Sequence, residues 1–141
     1  MIDQRTAPYA ALVLRIALGV MFIAHGLLKL LVFTLPGTAQ FFASQGFPAW
    51  TAYPVTGAEV LGGMLLLLGY HSRWVAGALI PVLAGAALVH AGNGWLFSAA
   101  NGGWEYPVFL IVAALVQVLL GDGAFALGRR APARRRGLQA A

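Results

Sequence analysis

Glu59 constrains this sequence most, because its carboxylate lies near the start of an apolar segment that continues to Gly69. A charged side chain in the hydrocarbon of a membrane is costly, so it normally faces the interior of a helix bundle and has a partner there. Gly63 follows Glu59 by four residues and so lies on the same face of the helix, and Gly62 lies next to that face. Small residues on this face predict that a neighbouring helix approaches Glu59 closely.

Composition places the chain among membrane proteins. Of its 141 residues, 60% are hydrophobic and 9% are charged, and the mean hydropathy is +0.81. Soluble domains are about a quarter charged, so a globular core of ordinary composition is excluded. The chain contains no cysteine, which excludes a disulfide framework, a thiol catalyst and thiolate metal ligands.

The basic character of the chain belongs to its C-terminal tail. The formal charge is +5, and five of the nine Lys and Arg residues lie between Arg129 and Arg136. No aromatic residues alternate with these arginines, so nucleic acid is not an expected partner. We expect residues 129–141 to be a disordered cytoplasmic tail that follows a single four-helix domain, residues 1–128.

The apolar segments predict an all-α fold, an integral membrane four-helix bundle embedded in the lipid bilayer. Segments of about 20 residues are needed to cross a membrane, and we place the helices at about 9–31, 53–70, 74–92 and 104–121. The first segment is longer than the apolar region of a signal peptide and is expected to be retained. In the loop after it, Thr38 is predicted to cap a short interfacial helix through Gln45, with Gly46 as a left-handed stop.

Loop charges predict the orientation of the bundle. Arg5, Arg73 and the arginine-rich tail fall on one side of a four-helix topology, whereas the loops at 32–50 and 93–103 contain no lysine or arginine. Because positively charged loops stay in the cytoplasm, both termini are predicted to be cytoplasmic.

The same topology brings five ionisable residues from four helices to similar depth near the outer face, within about 10 Å at 1.5 Å rise per residue. These residues are the catalytic candidates His25, Lys29, Glu59, His90 and Glu105. On the opposite side, Arg15, Gln117 and Asp122 are expected to be scattered. Arg15 either snorkels to the surface or faces the bundle.

Two interpretations of the five residues stay open. In the first, Lys29 pairs with Glu59 as a latch that fixes helix register. In the second, the residues surround an apolar cavity that hydrogen-bonds a quinone carbonyl and exchanges a proton with it. The candidates for contact with such a ligand are His25, Lys29, Glu59, Phe42, Trp104 and Tyr106, and Phe41, Phe42 and Trp50 are expected to roof this end.

No metal site and no covalent cofactor are expected. His25 and His90 lie at similar depth, so a haem held by two histidines is geometrically conceivable. Two histidines alone are weak grounds for haem, and glycine-rich helix faces favour close packing over a slot for a macrocycle. Haem is therefore not the expected ligand.

Several short motifs together cover nearly the whole chain short of its tail. The first-helix motif is Leu14-Arg15 followed by Gly19, Phe22, His25-Gly26 and Lys29. The others are Phe42-x-x-x-Gly46-x-Pro48, Glu59-x-x-Gly62-Gly63 with Leu66, Gly69 and Arg73, and Gly102-Gly103-x-Glu105-Tyr106-Pro107. In this order and spacing, the motifs resemble those of the DoxX family of small four-helix membrane proteins.

The resemblance implies a protein of the bacterial cytoplasmic (inner) membrane with a role in redox metabolism, similar to the membrane subunit of thiosulfate–quinone oxidoreductase. A quinone-interacting oxidoreductase subunit is one hypothesis, with electrons supplied by a partner redox protein or a soluble substrate. The alternative is a non-catalytic membrane anchor or assembly factor. A small-solute transporter ranks third, because no inverted repeat is visible, although a homo-oligomer would supply one.

Overall fold

A computed structural model describes residues 3–128. These residues form an all-helical bundle, as predicted. The predicted arginine-rich tail, residues 129–141, lies outside the described residues. The helices are α1 (Ala7–Leu27), α2 (Leu35–Ser44), α3 (Ala52–Leu68), α4 (Ser72–His90) and α5 (Glu105–Leu120). A π-helical turn, Leu28–Val32, extends α1, and short 3-10 turns, Ala49–Thr51 and Ala91–Asn93, flank α3 and α4.

Three helical segments are long and apolar enough to cross a membrane. They are Ala7–Val32, Ala49–Leu68 and Ser72–Asn93, with 26, 20 and 22 residues. The fourth segment, α5, is apolar but has only 16 residues. The membrane class predicted from composition is therefore confirmed, while a fourth crossing by α5 stays a prediction.

The helices form a ring in which α1 packs against α3 and α4 packs against α5. Contacts between α3 and α4 and between α1 and α5 close the ring. Its interior is an apolar core built from Leu18, Phe22, Leu66, Ala76, Leu79, Leu83, Leu110 and Ala114.

Glycine makes the α1–α3 contact possible. A Cβ atom on Gly63 would lie 2.8 Å from the carbonyl oxygen of Gly19, and a Cβ on Gly19 would lie 2.9 Å from the carbonyl oxygen of Gly63. Only hydrogen fits on either residue at this separation. The predicted close approach to the face of Glu59 is confirmed, and α1 is the helix that makes it.

The prediction that Thr38 caps the short helix is wrong. The helix α2 begins four residues earlier than predicted, and Thr34 is its cap, with a side-chain oxygen that accepts a hydrogen bond from the Gly37 amide at 3.3 Å. Thr38 is buried inside the helix, where its hydroxyl donates to the Thr34 carbonyl at 2.9 Å. The predicted left-handed stop is confirmed, because Gly46 has a φ of +84°.

The two ends of the bundle differ in construction. The long-loop end consists of residues 33–51, which contain α2, and residues 91–104. The short-turn end consists of residues 3–6, the α3–α4 turn at 69–71 and the segment 121–128, named here the crossing segment. The crossing segment donates backbone hydrogen bonds from Ala124 to the Pro8 carbonyl and from Leu127 to the Leu68 carbonyl. It therefore ties the start of α1 to the end of α3.

Replacing Gly63 with alanine should destabilise the bundle by about 1–3 kcal/mol, because the new methyl group would overlap α1. Its Cβ would lie 2.7 Å from Ile23 Cγ1. Gly57→Ala is the matched control in the same helix, since a Cβ there meets nothing within 4 Å. Thermal unfolding in detergent should show a loss for Gly63→Ala and no loss for Gly57→Ala. Equal effects would contradict the α1–α3 packing described here.

Candidate functional site

Lys29 and Glu59 form a direct ion pair between α1 and α3. The Lys29 Nζ lies 2.8 Å from Glu59 Oε1 and 2.7 Å from Oε2. Glu59 is 5% exposed, and the Lys29 side chain is 18% exposed. The contact predicted from their shared depth is confirmed. One ammonium group binds both carboxylate oxygens, so these two opposite charges neutralise each other.

The π-helical turn carries Lys29. A π turn adds a residue to one helical turn and so changes the face that the residues within and after it present. Lys29 is the second residue of this turn, Leu28–Val32, and its carbonyl lies 3.4 Å from the hydroxyl of Thr38 on α2. The cation is thus positioned by local helix geometry and by the start of α2. The sequence pattern did not predict this turn.

His25 faces α5 rather than Glu59. Its ring stacks on Tyr106, with centroids 6.2 Å apart and an interplanar angle of 28°. The His25 Nδ1 lies 2.9 Å from the Met21 carbonyl oxygen. A carbonyl only accepts hydrogen bonds, so Nδ1 is the donor in this contact and Nε2 takes no part in it.

Glu105 and His90 organise the loop before α5. Glu105 Oε1 accepts a hydrogen bond from the Phe97 amide at 2.7 Å, and His90 Nδ1 lies 3.2 Å from the Gly102 carbonyl. The five ionisable candidates therefore share the long-loop end but not a single pocket. The structure gives them separate sets of partners: Lys29 with Glu59, His25 with Tyr106, and Glu105 and His90 with the loop. Within residues 3–128, no three His, Asp or Glu side chains are grouped to hold a metal ion.

The aromatic candidates lie on different parts of the same end. Phe42 packs against Phe47 in the α2 region, with ring centroids 6.2 Å apart. Trp104 makes an edge-to-face contact with Trp95, with centroids 4.4 Å apart. Trp50, expected to roof the end, is 67% exposed. Tyr106 is the aromatic candidate that contacts an ionisable one.

Two open grooves flank α5 on the outside of the bundle. The first, the α5 groove, has a volume of about 480 Å³. It is lined by Trp95, Phe97, Glu105, Tyr106, Val108, Phe109 and Val112. The second, of about 380 Å³, is wholly apolar and runs between α4 and α5 beside Trp104. Neither groove is lined by Lys29 or Glu59, so the ion pair lies outside both.

The short-turn end holds a polar layer that the sequence analysis missed. Arg15 is 1% exposed, and Ser72 and Gln117 are fully buried. The Arg15 Nη2 donates to the Ala124 carbonyl at 2.9 Å, and the Ser72 amide donates to Asp122 Oδ1 at 2.6 Å. The expectation that Arg15, Gln117 and Asp122 are scattered is therefore wrong, and Arg15 does not snorkel.

Gly69 explains how an arginine fits beneath the core. It ends α3 in the left-handed conformation, with a φ of +68°, and Arg15 Nη1 occupies the space that a Cβ on Gly69 would fill. The equal depth of Arg15, Gln117 and Asp122 at one end of the topology was the signal that could have identified this layer.

Comparison with known proteins gives the family. The DoxX family profile matches residues 10–92. The chain belongs to the DoxX family. It is 32% identical to a Bacillus subtilis (strain 168) protein named "Putative oxidoreductase CatD", over 82% of each chain. It is 33% identical to an uncharacterized protein of Haemophilus influenzae (strain ATCC 51907 / DSM 11121 / KW20 / Rd), over 90% of this chain and 94% of the relative. No solved structure matches this DoxX-family chain.

Removing one member of the Lys29–Glu59 pair should destabilise the protein more than removing both. A buried charge left without its partner costs about 3–5 kcal/mol. We expect Lys29→Met and Glu59→Gln each to lower the free energy of unfolding, and the double variant to recover part of the loss. A double-mutant cycle of thermal unfolding in detergent measures the coupling. Strictly additive losses would show that the two side chains do not interact in the folded protein.

Proposed function

We propose that this chain is a redox-associated protein of the bacterial inner membrane that binds a quinone in the α5 groove. The observation that carries this proposal is the groove itself, which combines an apolar aromatic wall with Glu105 and Tyr106. The volume of about 480 Å³ lies within the range of about 300–1,000 Å³ usual for small-molecule sites. Membership of the DoxX family and the relative named as an oxidoreductase support a redox role.

The groove suits a ligand that arrives through the lipid. Its walls are mostly apolar side chains of α5 and of the loop before it, and it opens on the outside of the bundle. A quinone is an apolar molecule with two carbonyl oxygens, so it requires an apolar surface with hydrogen-bonding groups at one end. Glu105 and the hydroxyl of Tyr106 are such groups.

Reduction of a quinone to a quinol takes up two electrons and two protons. Glu105 and His25 are the ionisable groups beside this groove that can exchange a proton with a bound ring. Glu105 Oε1 is bound to the Phe97 amide, which leaves Oε2 to exchange a proton. His25 stacks on Tyr106 from the α1 side and exchanges a proton through Nε2.

The electrons come from outside this chain. It has no cysteine, so a thiol relay does not reside in it. We propose a partner redox protein or a soluble reductant as the two-electron donor, in a system similar to a quinone-reducing oxidoreductase. In this arrangement the chain binds and orients the quinone and supplies protons.

The Lys29–Glu59 pair favours a second candidate function. Both carboxylate oxygens of Glu59 are bound by Lys29, and the α5 groove does not reach them. This is the geometry of a latch that fixes α1 against α3. A chain held in this way would also serve as a non-catalytic membrane anchor or assembly factor for a redox complex.

Quinone binding should depend on Tyr106 and His25. We expect saturable binding of a short-chain quinone to the detergent-purified protein, and an affinity about tenfold weaker in Tyr106→Ala and His25→Ala. A tenfold change corresponds to about 1.4 kcal/mol, the size of one lost hydrogen bond or aromatic contact. Isothermal titration or fluorescence quenching measures the dissociation constant.

Tyr53→Ala is the matched control for this experiment, because Tyr53 is an exposed tyrosine at the start of α3, on the other side of the molecule. It should bind the quinone as the wild type does. Absence of saturable binding to the wild type would leave the anchor function as the better candidate. Loss of binding in folded Lys29→Met, but not in Tyr106→Ala, would move the site to the ion pair.

The topology follows from the loop charges and is tested separately. We propose four crossings, including α5, with both termini in the cytoplasm. Reporter fusions after Ala141 and within residues 93–103 should then report opposite sides of the membrane, cytoplasmic for the first and external for the second. Signals from the same side would contradict the crossing by α5 and the placement of the long-loop end outside.

A further inference from the structure

Three buried polar residues at the short-turn end each donate a hydrogen bond to the crossing segment. Arg15, Gln117 and Ser72 come from α1, α5 and α4, and each is at most 1% exposed. Each residue uses one donor to bind the crossing segment. Arg15 Nη2 binds the Ala124 carbonyl, Gln117 Nε2 binds the Gly121 carbonyl at 2.6 Å, and the Ser72 amide binds Asp122.

Each of these residues also has buried polar atoms without a hydrogen-bond partner among residues 3–128, named here the leftover atoms. They are Arg15 Nε and Nη1, Ser72 Oγ and Gln117 Oε1. Most buried polar groups in proteins are satisfied by protein atoms or by ordered water. Four such atoms in one layer, left dry, would impose a cost comparable with the net stability of a small domain.

The polar layer lies directly beneath the apolar core. Gln117 follows Ala114 on α5 by about one turn, and Ser72 precedes Ala76 on α4 by about one turn. Ala76 and Ala114 both belong to the core cluster. The residues that carry the leftover atoms therefore lie about one helical turn from two small residues of the core.

Charge decides which ligand fits. Asp122 already accepts the first amide of α4, and it lies two residues before Ala124, whose carbonyl binds Arg15. A resident anion therefore offsets the guanidinium charge, which disfavours a second anion. The leftover atoms comprise donors on Arg15, an acceptor on Gln117 and a hydroxyl on Ser72 that does both. A ligand for them must be uncharged, and must both accept and donate.

We infer that the polar layer is a binding site for ordered water, built on Arg15, Ser72 and Gln117. Arg15 Nη1 packs directly on Gly69, in the space that a Cβ there would fill. Water accepts from the Arg15 N–H groups and donates to Gln117 Oε1. The site is independent of the α5 groove, which lies at the other end of the bundle.

The sign of one stability change tests the inference. Ser72→Ala removes Oγ and leaves the Ser72 amide bond to Asp122 in place. If Oγ binds water, this variant loses a satisfied hydrogen bond, and the apparent Tm in detergent should fall by a few degrees, on the order of 3 °C. If Oγ is dry, its removal relieves an unsatisfied buried hydroxyl, so an unchanged or higher Tm would overturn the inference.

Ser98→Ala is the matched control, because Ser98 is exposed in the loop before α5, and its variant should keep the wild-type Tm.

A density map that resolves ordered water gives the direct test. Density for water within hydrogen-bond distance of Arg15 Nε or Nη1 and of Gln117 Oε1 is expected. Empty space at these atoms would overturn the inference, and so would main-chain or side-chain density from residues outside 3–128. A Tm that depends on chloride, compared with gluconate at equal ionic strength, would identify an anion and overturn the choice of a neutral ligand.

Discussion

The buried contact between α1 and α3 is the interaction on which the rest of the structure depends. It combines two features that require each other. Gly19 and Gly63 let the backbones approach until the carbonyl oxygen of each residue occupies the space of a side chain on the other. One turn away from Gly63, Glu59 binds Lys29 through both oxygens. Close packing of the two helices brings Lys29 within hydrogen-bond distance of Glu59. In turn, the lysine offsets the cost of burying the Glu59 carboxylate between them.

The two ends of the bundle handle buried charge differently. At the long-loop end, charge is neutralised by a direct ion pair, and the remaining ionisable groups bind loop backbone or face the α5 groove. At the short-turn end, Arg15 is held by the carbonyl of Ala124, and Asp122 caps α4. Within residues 3–128, Lys29–Glu59 is the ion pair shorter than 4 Å. Charge at the first end is therefore balanced by another side chain, whereas at the second end the crossing segment supplies the partners.

Sequence alone was sufficient for the class, the helices to within a few residues, and the pairing of Lys29 with Glu59. These features depend on hydrophobic periodicity, on small residues at a spacing of four and on charge at matched depth, and the sequence contains all three. The π turn and the cap at Thr34 were missed because they depend on local backbone geometry. Thr34 adopts a φ of +61°, which threonine rarely does. The partner of Arg15 was missed because it is a backbone carbonyl, that of Ala124, in a segment whose path no side-chain pattern specifies.

The shortness of α5 has a consequence for the membrane itself. Sixteen residues rise about 24 Å, which is less than the hydrocarbon thickness of about 30 Å. Where such a helix crosses, hydrophobic mismatch makes the bilayer thin locally or draws the flanking residues toward the headgroups. The α5 groove lies at the start of this helix, beside Glu105. Thinner lipid there would bring interfacial water toward the carboxylate, while the wall formed by Phe109 and Val112 stays in hydrocarbon.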